Sequence, residues 1–506
     1  MISAICWIPK GVAKSEPVLA EPPSKDDIQQ IITTTLTTHD VVEDEEEEEA
    51  IEDDEVISQA LAVAEAIGGG VSNSNKYDEI ALALKDLDMD NYDHEDDQGV
   101  ELFSTGIGDL YYPTNDLDPY LKRNKDEDED DDDDDSEDLQ DMIINPTDSV
   151  IVCARNEDDV SVLEVWVVED TNSKEMNMFI HHEIIIPAFP LSTAWLDCPL
   201  KGGGDKGNFI AVGSMEPSIE IWDLDVIDEV QPCVILGGIL HKNNKKGNKK
   251  SIKYKHDSHT DSVLSLAWNK EYRNILASAS ADNKVKIWDV VAGKCDITME
   301  HHTDKARTKL MSFIFNILSH VQAVAWNLHA PQVLLSGSFD HTVVLKDGRV
   351  PSHSGYKWSV TADVESLAWD PHTEHSFVVS LEDGLVKCFD VRTAKADSTS
   401  ELGSTFTLHA HDKAVTSALY NLSAPNLLAT ASMDKTVKLW DLSNNQPSCI
   451  ASKTPKTGAV FSISFSEDNP FLLAIGGSEG KLEVWDTLSE SGISRRYDKY
   501  NKNRQP

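Results

Sequence analysis

The chain has 506 residues and a formal net charge of −45, but residues 1–141 carry 43 Asp and Glu against 8 Lys and Arg, a net of −35, which leaves −10 for the rest. Its seven cysteines lie far apart without a C-x-x-C pair, which argues against a zinc site or a disulfide framework. The start lacks a secretion signal, and the densest apolar run, 310–318, is about half a membrane span, so no transmembrane helix is predicted.

The first predicted element is a short strand at the N-terminus, and its pattern of apolar residues before an aromatic one recurs along the chain. The seven copies are ISAICWIP (2–9), LSTAWL (191–196), VLSLAWNK (263–270), VQAVAWNL (321–328), VESLAWDP (364–371), VTSALYNL (415–422) and VFSISFSE (460–467). A second type of strand, often ending in Trp-Asp, also occurs seven times, at 163–169, 219–225, 285–291, 342–348, 385–391, 437–443 and 482–488. Equal counts indicate seven repeats of one unit.

Residues 10–141 separate the first strand from the next predicted one, SVIVCAR (149–155), and contain nearly continuous acidic runs at 43–55 and 126–138. Such runs repel themselves and bury too little apolar surface to fold, so this segment is predicted to be an acidic, mostly disordered insert. It either binds basic partners or only keeps the chain soluble. Ser136, which is surrounded by Asp and Glu, is a candidate phosphorylation site.

The two clearest repeats, 259–290 and 411–442, have Ser or Thr at +19, Asp at +23 and Trp at +29 from a His. This pattern resembles the WD40 repeat family, in which these four residues of a blade form a buried hydrogen-bonded tetrad. The resemblance implies structural rather than catalytic roles, because buried polar groups are tolerated when they find partners. The residues are His259, Ser278, Asp282 and Trp288, and His411, Thr430, Asp434 and Trp440.

The resemblance implies an all-β fold, a seven-bladed WD40 β-propeller whose first blade is interrupted by the acidic insert. The predicted parts are the inner strand of blade one (1–9), the insert (10–141), the propeller (142–490) and a C-terminal strand or tail (491–506). An alternative is that the N-terminal strand completes the last blade as its outer strand. Seven blades are expected in either arrangement.

The long connection between the second and third repeats, residues 241–255, contains seven lysines. So dense a cluster favours nuclear import or contact with RNA phosphates, and a solvated loop is the alternative. The candidates are Lys242, Lys245, Lys246, Lys249, Lys250, Lys253 and Lys255.

The fourth repeat contains 15 additional residues, because Ser336 and Asp340 lie 15 residues farther from His302 than the other repeats predict. These three residues form a partial tetrad, and the extra block is assigned to 306–320. The block is either a real rim or docking segment or, as we favour, a splice or gene-model artefact. Lys346 stands where the clear repeats have Trp, so blade four is expected to be the least regular.

Segments outside the clear repeats restrict the resemblance to one family of WD40 proteins. The opening ISAICWIPKGVAK, LKDLDMDNYDHEDD (84–97), NDLDPYL (115–121) and the inner-strand Trp195, Trp268, Trp326 and Trp369 are similar to the periodic tryptophan protein 1 family. The similarity covers nearly the whole chain except 306–320. It implies a nuclear and nucleolar scaffold in ribosome biogenesis, acting in rRNA production or processing and large-subunit assembly. The implied partners are assembly factors or ribosomal proteins, with histones, chromatin or pre-rRNA as further candidates.

No phosphate loop, nucleophile elbow, H-E-x-x-H motif or dinucleotide-binding turn occurs in its expected setting. The pairs at 181–182 and 301–302 are two adjacent histidines each, without Cys or carboxylate partners at ligand spacing. We therefore expect no enzyme, metal site, cofactor, small-molecule substrate or membrane contact. An alternative is a substrate receptor of a cullin-type ubiquitin ligase, because Phe389-Asp390-Val391-Arg392 approximates the W-D-x-R signature of such receptors, with Phe replacing Trp.

Overall fold

The structure is a computed structural model, and it describes residues 1–20, 143–157, 160–169, 177–200, 206–240, 253–302, 320–350, 355–393 and 403–501. Three predicted segments lie mostly outside the described residues: the 15-residue block, the lysine-rich loop, and the acidic insert, whose residues 21–141 include Ser136. The predictions of disorder, of an inserted block and of a phosphorylation site therefore concern segments that the structure does not describe.

The described chain is built from short strands. In the first half they are β1 (Ile2–Ile8), β2 (Val18–Leu19), β3 (Ser149–Glu157), β4 (Val160–Val168), β5 (Met178–Ile186), β6 (Pro190–Leu196), β7 (Phe209–Ser214), β8 (Ser218–Asp223), β9 (Val226–Ile227), β10 (Val234–Gly237), β11 (Val263–Trp268), β12 (Ile275–Ser280), β13 (Val285–Asp289) and β14 (Lys294–Met299). In the second half they are β15 (Val321–Trp326), β16 (Val333–Ser338), β17 (Thr342–Asp347), β18 (Tyr356–Ser359), β19 (Val364–Trp369), β20 (Ser376–Leu381), β21 (Leu385–Asp390), β22 (Phe406–His409), β23 (Ser417–Tyr420), β24 (Leu427–Ala431), β25 (Val437–Asp441), β26 (Ser448–Lys453), β27 (Val460–Phe465), β28 (Leu472–Gly477) and β29 (Leu482–Asp486). The helix α1 (Ser491–Tyr497) follows the last strand.

All of these strands except β2 and β9, which pair in a separate two-stranded parallel sheet, form seven antiparallel blades. The blades are β1-β3-β4-β5, β6-β7-β8-β10, β11 to β14, β15 to β18, β19 to β22, β23 to β26, and β27 to β29. Each inner strand packs against the next, and β1 packs against both β6 and β27, so the ring is closed. The predicted seven-bladed β-propeller is confirmed.

The N-terminal strand lies inside blade one. β1 pairs antiparallel with β3, from Ile2 opposite Arg155 to Ile8 opposite Val150. This places it as the inner strand of blade one, not as the outer strand of blade seven. The insert is therefore the connection between the first and second strands of one blade.

Neighbouring blades bury apolar side chains between them, and small residues on the second strands allow the close approach. A Cβ added to Gly337 of blade four would lie 2.5 Å from Val364 Cγ1 of blade five. At Gly476 of blade seven it would lie 2.6 Å from Ile2 Cγ2 of blade one. A larger residue at either position would force two blades apart, since interiors are close-packed.

The structure differs from two expectations about the chain. Blade four is a complete four-stranded sheet, and blade seven is the incomplete one, with three strands among the described residues. The segment 491–506, expected to be a strand or tail, contains α1 at its start, because Ile493 and Tyr497 lie one helical turn apart and are both buried against blades six and seven.

Candidate functional site

Blade three brings together the four residues of the first predicted tetrad. His259 Nδ1 lies 2.9 Å from Asp282 Oδ2, and His259 Nε2 lies 2.7 Å from Ser278 Oγ. The Trp288 indole N–H donates to the same hydroxyl at 2.8 Å. The backbone N–H of Thr260 also donates to Asp282 Oδ2, at 3.1 Å, so the carboxylate joins the tetrad to the preceding loop.

Blade six repeats this geometry with Thr in place of Ser. His411 Nδ1 lies 2.9 Å from Asp434 Oδ2, and Nε2 lies 2.7 Å from Thr430 Oγ1. The Trp440 indole N–H donates to Thr430 Oγ1 at 2.9 Å. Each set therefore links the second and third strands of its blade, and the turn between them, to the loop that enters the blade.

Burial determines the protonation of these tetrads. It lowers the pKa of His259 and of His411, so both imidazoles are neutral at pH 7. In neutral His259, Nδ1–H donates to Asp282 and Nε2 accepts from the Ser278 hydroxyl, whose oxygen accepts from Trp288. Ser278 is 0% exposed, so this oxygen is a structural cross-link that no substrate in solvent can reach.

Blade four contains a variant of the tetrad. His302 Nδ1 lies 3.2 Å from Asp340 Oδ2, and Nε2 lies 2.8 Å from Ser336 Oγ. Burial raises the pKa of Asp340, but hydrogen bonds from His302 and Thr342 outweigh it and lower that pKa to about 2. The three residues of the partial set therefore lie together, with the same His–Asp and His–Ser hydrogen bonds as in blade three.

A second histidine replaces the missing tryptophan of blade four. Lys346 occupies the strand position of Trp288, and His301 Nε2 instead lies 2.7 Å from Ser336 Oγ. Burial lowers the pKa of His301 to about 2, so its ring stays neutral and its Nε2–H can donate as an indole does. Sequence analysis missed this role, although two adjacent histidines beside a blade without Trp were a usable signal.

Three inner-strand tryptophans donate to the preceding blade, whereas Trp195 and Trp268 donate within their own blades, to Asn208 Oδ1 (3.0 Å) and Arg273 O (2.8 Å). The bonds between blades were not predicted from the recurrence of Trp, although Trp326 and Trp369 stand at the last position of their strands, where a long donor can reach the neighbouring carbonyl. The bonds are Trp326 Nε1 to Ala267 O (3.0 Å), Trp369 Nε1 to Ala325 O (3.2 Å) and Trp7 Nε1 to Ser464 O (2.9 Å). The last of these joins blade one to blade seven.

Asparagines directly after these strands bond to the following blade. Each is at most 5% exposed, and its Oδ1 also accepts backbone N–H groups of its own loop. The donated bonds are Asn269 Nδ2 to Pro331 O (2.6 Å), Asn327 Nδ2 to Glu374 O (3.0 Å) and Asn421 Nδ2 to Pro470 O. Trp and Asn side chains therefore hold the blades together at the same end of the ring.

The described ends of the two charged segments lie on opposite faces of the propeller. The acidic insert follows an inner strand, and its ends are held by bonds from Ala20 N–H to Ile227 O (2.9 Å) and from Ile144 N–H to Ser15 O (3.0 Å). The lysine-rich loop joins an outer strand to the next inner strand, which is the opposite end of a four-stranded up-and-down blade. Its base is held by a bond from Leu240 N–H to Lys253 O (2.6 Å).

The remaining candidate residues lie apart from one another. Lys253 and Lys255 are exposed at the end of the lysine-rich loop, and the other five candidate lysines lie outside the described residues. Arg392 is exposed beyond β21, and its guanidinium lies 2.6 Å from Asp390. In the part of the chain that the structure describes, His, Cys, Asp and Glu form no group suited to a metal. None of the helices there combines the length and apolar character of a membrane span.

Comparison with known proteins agrees with the repeat pattern. The family model WD domain, G-beta repeat matches residues 250–289, 403–441 and 447–486. A WD repeat-containing protein of Schizosaccharomyces pombe is 33% identical over 432 residues, covering 83% of this chain and 77% of that protein. Periodic tryptophan protein 1 of Saccharomyces cerevisiae is 29% identical over 82% of this chain and 77% of its own length. The periodic tryptophan protein 1 homolog of Drosophila melanogaster is 29% identical over 68% of each chain.

More distant matches cover about half of the chain. A ribosome biogenesis protein of Trichoplax adhaerens is 23% identical over 45% of this chain and 52% of its own length. A histone-binding protein of S. cerevisiae is 27% identical over 44% of this chain and 56% of its own length. With seven blades of the WD-repeat type and the similarity over most of its length, the chain belongs to the periodic tryptophan protein 1 family of WD-repeat proteins.

Proposed function

We propose that this protein is a non-enzymatic scaffold of ribosome biogenesis that acts in the nucleus and nucleolus, in rRNA production or processing and in large-subunit assembly. The family relationship supports the proposal, as does the similarity to a ribosome biogenesis protein. The main supporting observation concerns the Ser or Thr, His and Asp side chains, whose residue types resemble those of a catalytic triad. In blades three and six they are buried and bonded to one another, which leaves loops and outer edges for binding.

The placement of the charged segments suggests how the scaffold works. The acidic insert leaves one face of the disc and suits basic partners such as ribosomal proteins. The lysine-rich loop leaves the other face and suits an import receptor or the phosphates of pre-rRNA. Because the two segments start on opposite faces, both partners can bind at once, which raises the effective concentration of each near the other.

Histone binding is a secondary part of the proposal. It is supported by the histone-binding relative and by the negative charge of the insert, which attracts basic tails. Replacing 21–142 with a short Gly-Ser linker removes this charge while β1 and β3 remain. We expect the shortened protein to lose salt-sensitive binding to histones and basic ribosomal proteins and to keep its fold. Unchanged binding would mean that the insert only solubilises the chain.

Proximity labelling of the full-length protein in cells tests the main proposal. We expect ribosomal proteins and large-subunit assembly factors among the labelled partners, and accumulation of large-subunit rRNA precursors when the protein is depleted. A cullin adaptor as the dominant partner would instead favour the ligase-receptor alternative. Arg392→Ala separates the two, since it should remove a cullin adaptor and leave assembly factors unaffected.

The lysine-rich loop is tested by changing its seven lysines to Gln. A control protein carries the same change at Lys294 and Lys481, which are exposed at the start of β14 and directly before β29. Movement to the cytoplasm indicates an import signal, whereas loss of RNA cross-links with unchanged location indicates phosphate contact. If neither property changes, the loop is only solvated.

We also propose that 306–320 is specific to an isoform or a gene model, because removing it restores the repeat spacing between His302 and β15. Sequencing of the transcript tests this directly. A dominant message that contains the 15 codons would show that the insertion is real.

A further inference from the structure

Blade seven ends in an open strand edge. The other six blades have a fourth strand outside the third, and among the residues that the structure describes β29 has none. Thr487 N–H bonds inward to Phe471 O, so the alternation of the backbone directs the N–H and C=O groups of Leu482 and Val484 outward. No strand in the described part of the chain pairs with these groups. Unpaired groups of this kind are a template for another strand.

The side chains at this edge are also less covered than in other blades. Leu482 and Val484 are half-buried, whereas Val285 and Ile287 at the same positions of blade three are 0% and 4% exposed. The difference comes from the fourth strand, because β14 lies opposite those two residues in blade three. The open edge thus keeps an apolar strip on which two side chains of an added strand can pack.

The chain after β29 turns toward blade six rather than back along the edge. A Cβ on Gly492 would lie 2.6 Å from Ile450 Cγ2, and Arg496 Nη1 lies 3.8 Å from Asp441 Oδ2. At the end of the edge that carries Asp486, a cavity of about 360 Å³ opens between β28, β29 and the turn that follows, with Leu488 in its wall. The described part of the chain therefore leaves both the edge and this cavity accessible.

The complete blades indicate what fits the edge. In blade three the three residues opposite Val285, Lys286 and Ile287 are Met299, Thr298 and Ile297. Lys286 donates to the Thr298 hydroxyl at 2.9 Å. Blade seven has Glu483 at the position of Lys286, and its carboxylate accepts from Lys453 Nζ at 2.6 Å. A carboxylate in this place favours a hydrogen-bond donor opposite it.

We propose that the outer edge of β29 binds an extended segment of a partner protein, which adds antiparallel as the missing fourth strand. The segment has apolar residues opposite Leu482 and Val484 and a Ser, Thr, Lys or Arg opposite Glu483. Its backbone supplies the hydrogen bonds and its alternate side chains supply the specificity. The inference does not depend on the proposed role in ribosome biogenesis.

Amide hydrogen exchange on the full-length protein tests this inference. In the free monomer, the amides of Leu482 and Val484 should exchange at least tenfold faster than those of Glu483 and Trp485, which point inward. Slow exchange of Leu482 and Val484 in the monomer would mean that the chain covers its own edge. Protection that appears only as a dimer forms would assign the edge to a second copy. Either result overturns the proposal.

A capped peptide with the sequence of β14, in which Cys295 is replaced by Ser, serves as the probe, because it carries Met, Thr and Ile at the required positions. We expect binding with a dissociation constant below about 1 mM, together with protection of the Leu482 and Val484 amides. Val484→Lys should weaken binding at least tenfold. Ile235→Lys, at a half-exposed residue of the outer strand of blade two, is the matched control and should not change it. Failure of the peptide to protect these amides in the wild-type protein contradicts the inference, and this measurement stands even if Val484→Lys does not fold.

Discussion

Removal of β1 should prevent the propeller from closing. Ile2, Ile5, Trp7 and Ile8 are all at most 8% exposed, and β1 packs against blades two and seven as well as pairing with β3. At about 1.5–3 kcal/mol for each large buried apolar side chain, these four account for about 6–12 kcal/mol. Folded domains are stable by only about 5–15 kcal/mol in total, so the loss approaches the whole stability.

The assay compares two shortened proteins with the full chain. One begins at residue 142 and lacks β1; the other keeps residues 1–20 joined by a Gly-Ser linker to 143 and lacks only the insert. We expect the first to be poorly soluble, with reduced β content by circular dichroism, and the second to be monomeric with an unfolding midpoint close to that of the full chain. A soluble, monomeric 142–506 protein with full β content and an unchanged urea midpoint would refute the reasoning about ring closure.

Three single substitutions test other parts of the structure. Ser278→Ala leaves His259 Nε2 and the Trp288 indole N–H unpaired in a buried place, which should cost about 2–4 kcal/mol in urea unfolding. Burial, with neighbouring carboxylates, raises the pKa of Glu365 from its ordinary value of 4.5 to about 7, so its ionisation destabilises the fold increasingly as pH rises from 4.5 to 7. Glu365→Gln should therefore be more stable than wild type at pH 8, by up to about 3 kcal/mol, and this advantage should vanish near pH 4.5 when urea midpoints are compared. Lys435 has a φ of 69°, a left-handed conformation that strains any residue except Gly. Lys435→Gly should therefore raise the free energy of unfolding by about 0.5–1 kcal/mol and the melting temperature slightly. A lower melting temperature would mean that the Lys side chain makes a contact that offsets the strain.

The repeat period made most of the fold predictable. Fixed offsets from His259 and His411 identified two blades, and the two strand patterns then located the other five because strands of one architecture share their apolar spacing. The inner strand at residues 2–9 was favoured by its match to the other inner strands, such as VLSLAW. Local patterns of this kind depend on neighbouring residues only, so the sequence displays them directly.

Contacts between blades were harder to predict, because they join residues far apart in the chain. Nothing local to Trp7 indicates that its indole N–H bonds to Ser464 O, 457 positions away. The substitution of His301 for a tryptophan likewise depends on a strand 35 residues later. The C-terminal helix was missed for a different reason. The segment was expected to be a strand or tail, and the spacing of Ile493 and Tyr497, which lie one helical turn apart, was not used.

The closed ring and the open edge have a common cause. A propeller can close by using its first strand as the outermost strand of the last blade, which covers the last edge. In this protein the first strand is instead the innermost strand of blade one, and ring closure relies on β1 packing against β27, on Gly476 fitting against Ile2, and on the bond from Trp7. The first strand therefore does not cover the edge of blade seven, and the described chain that follows β29 forms α1 against blade six. Closure through the inner strands therefore leaves the outer edge of β29 as the place where an additional strand can bind without opening the ring.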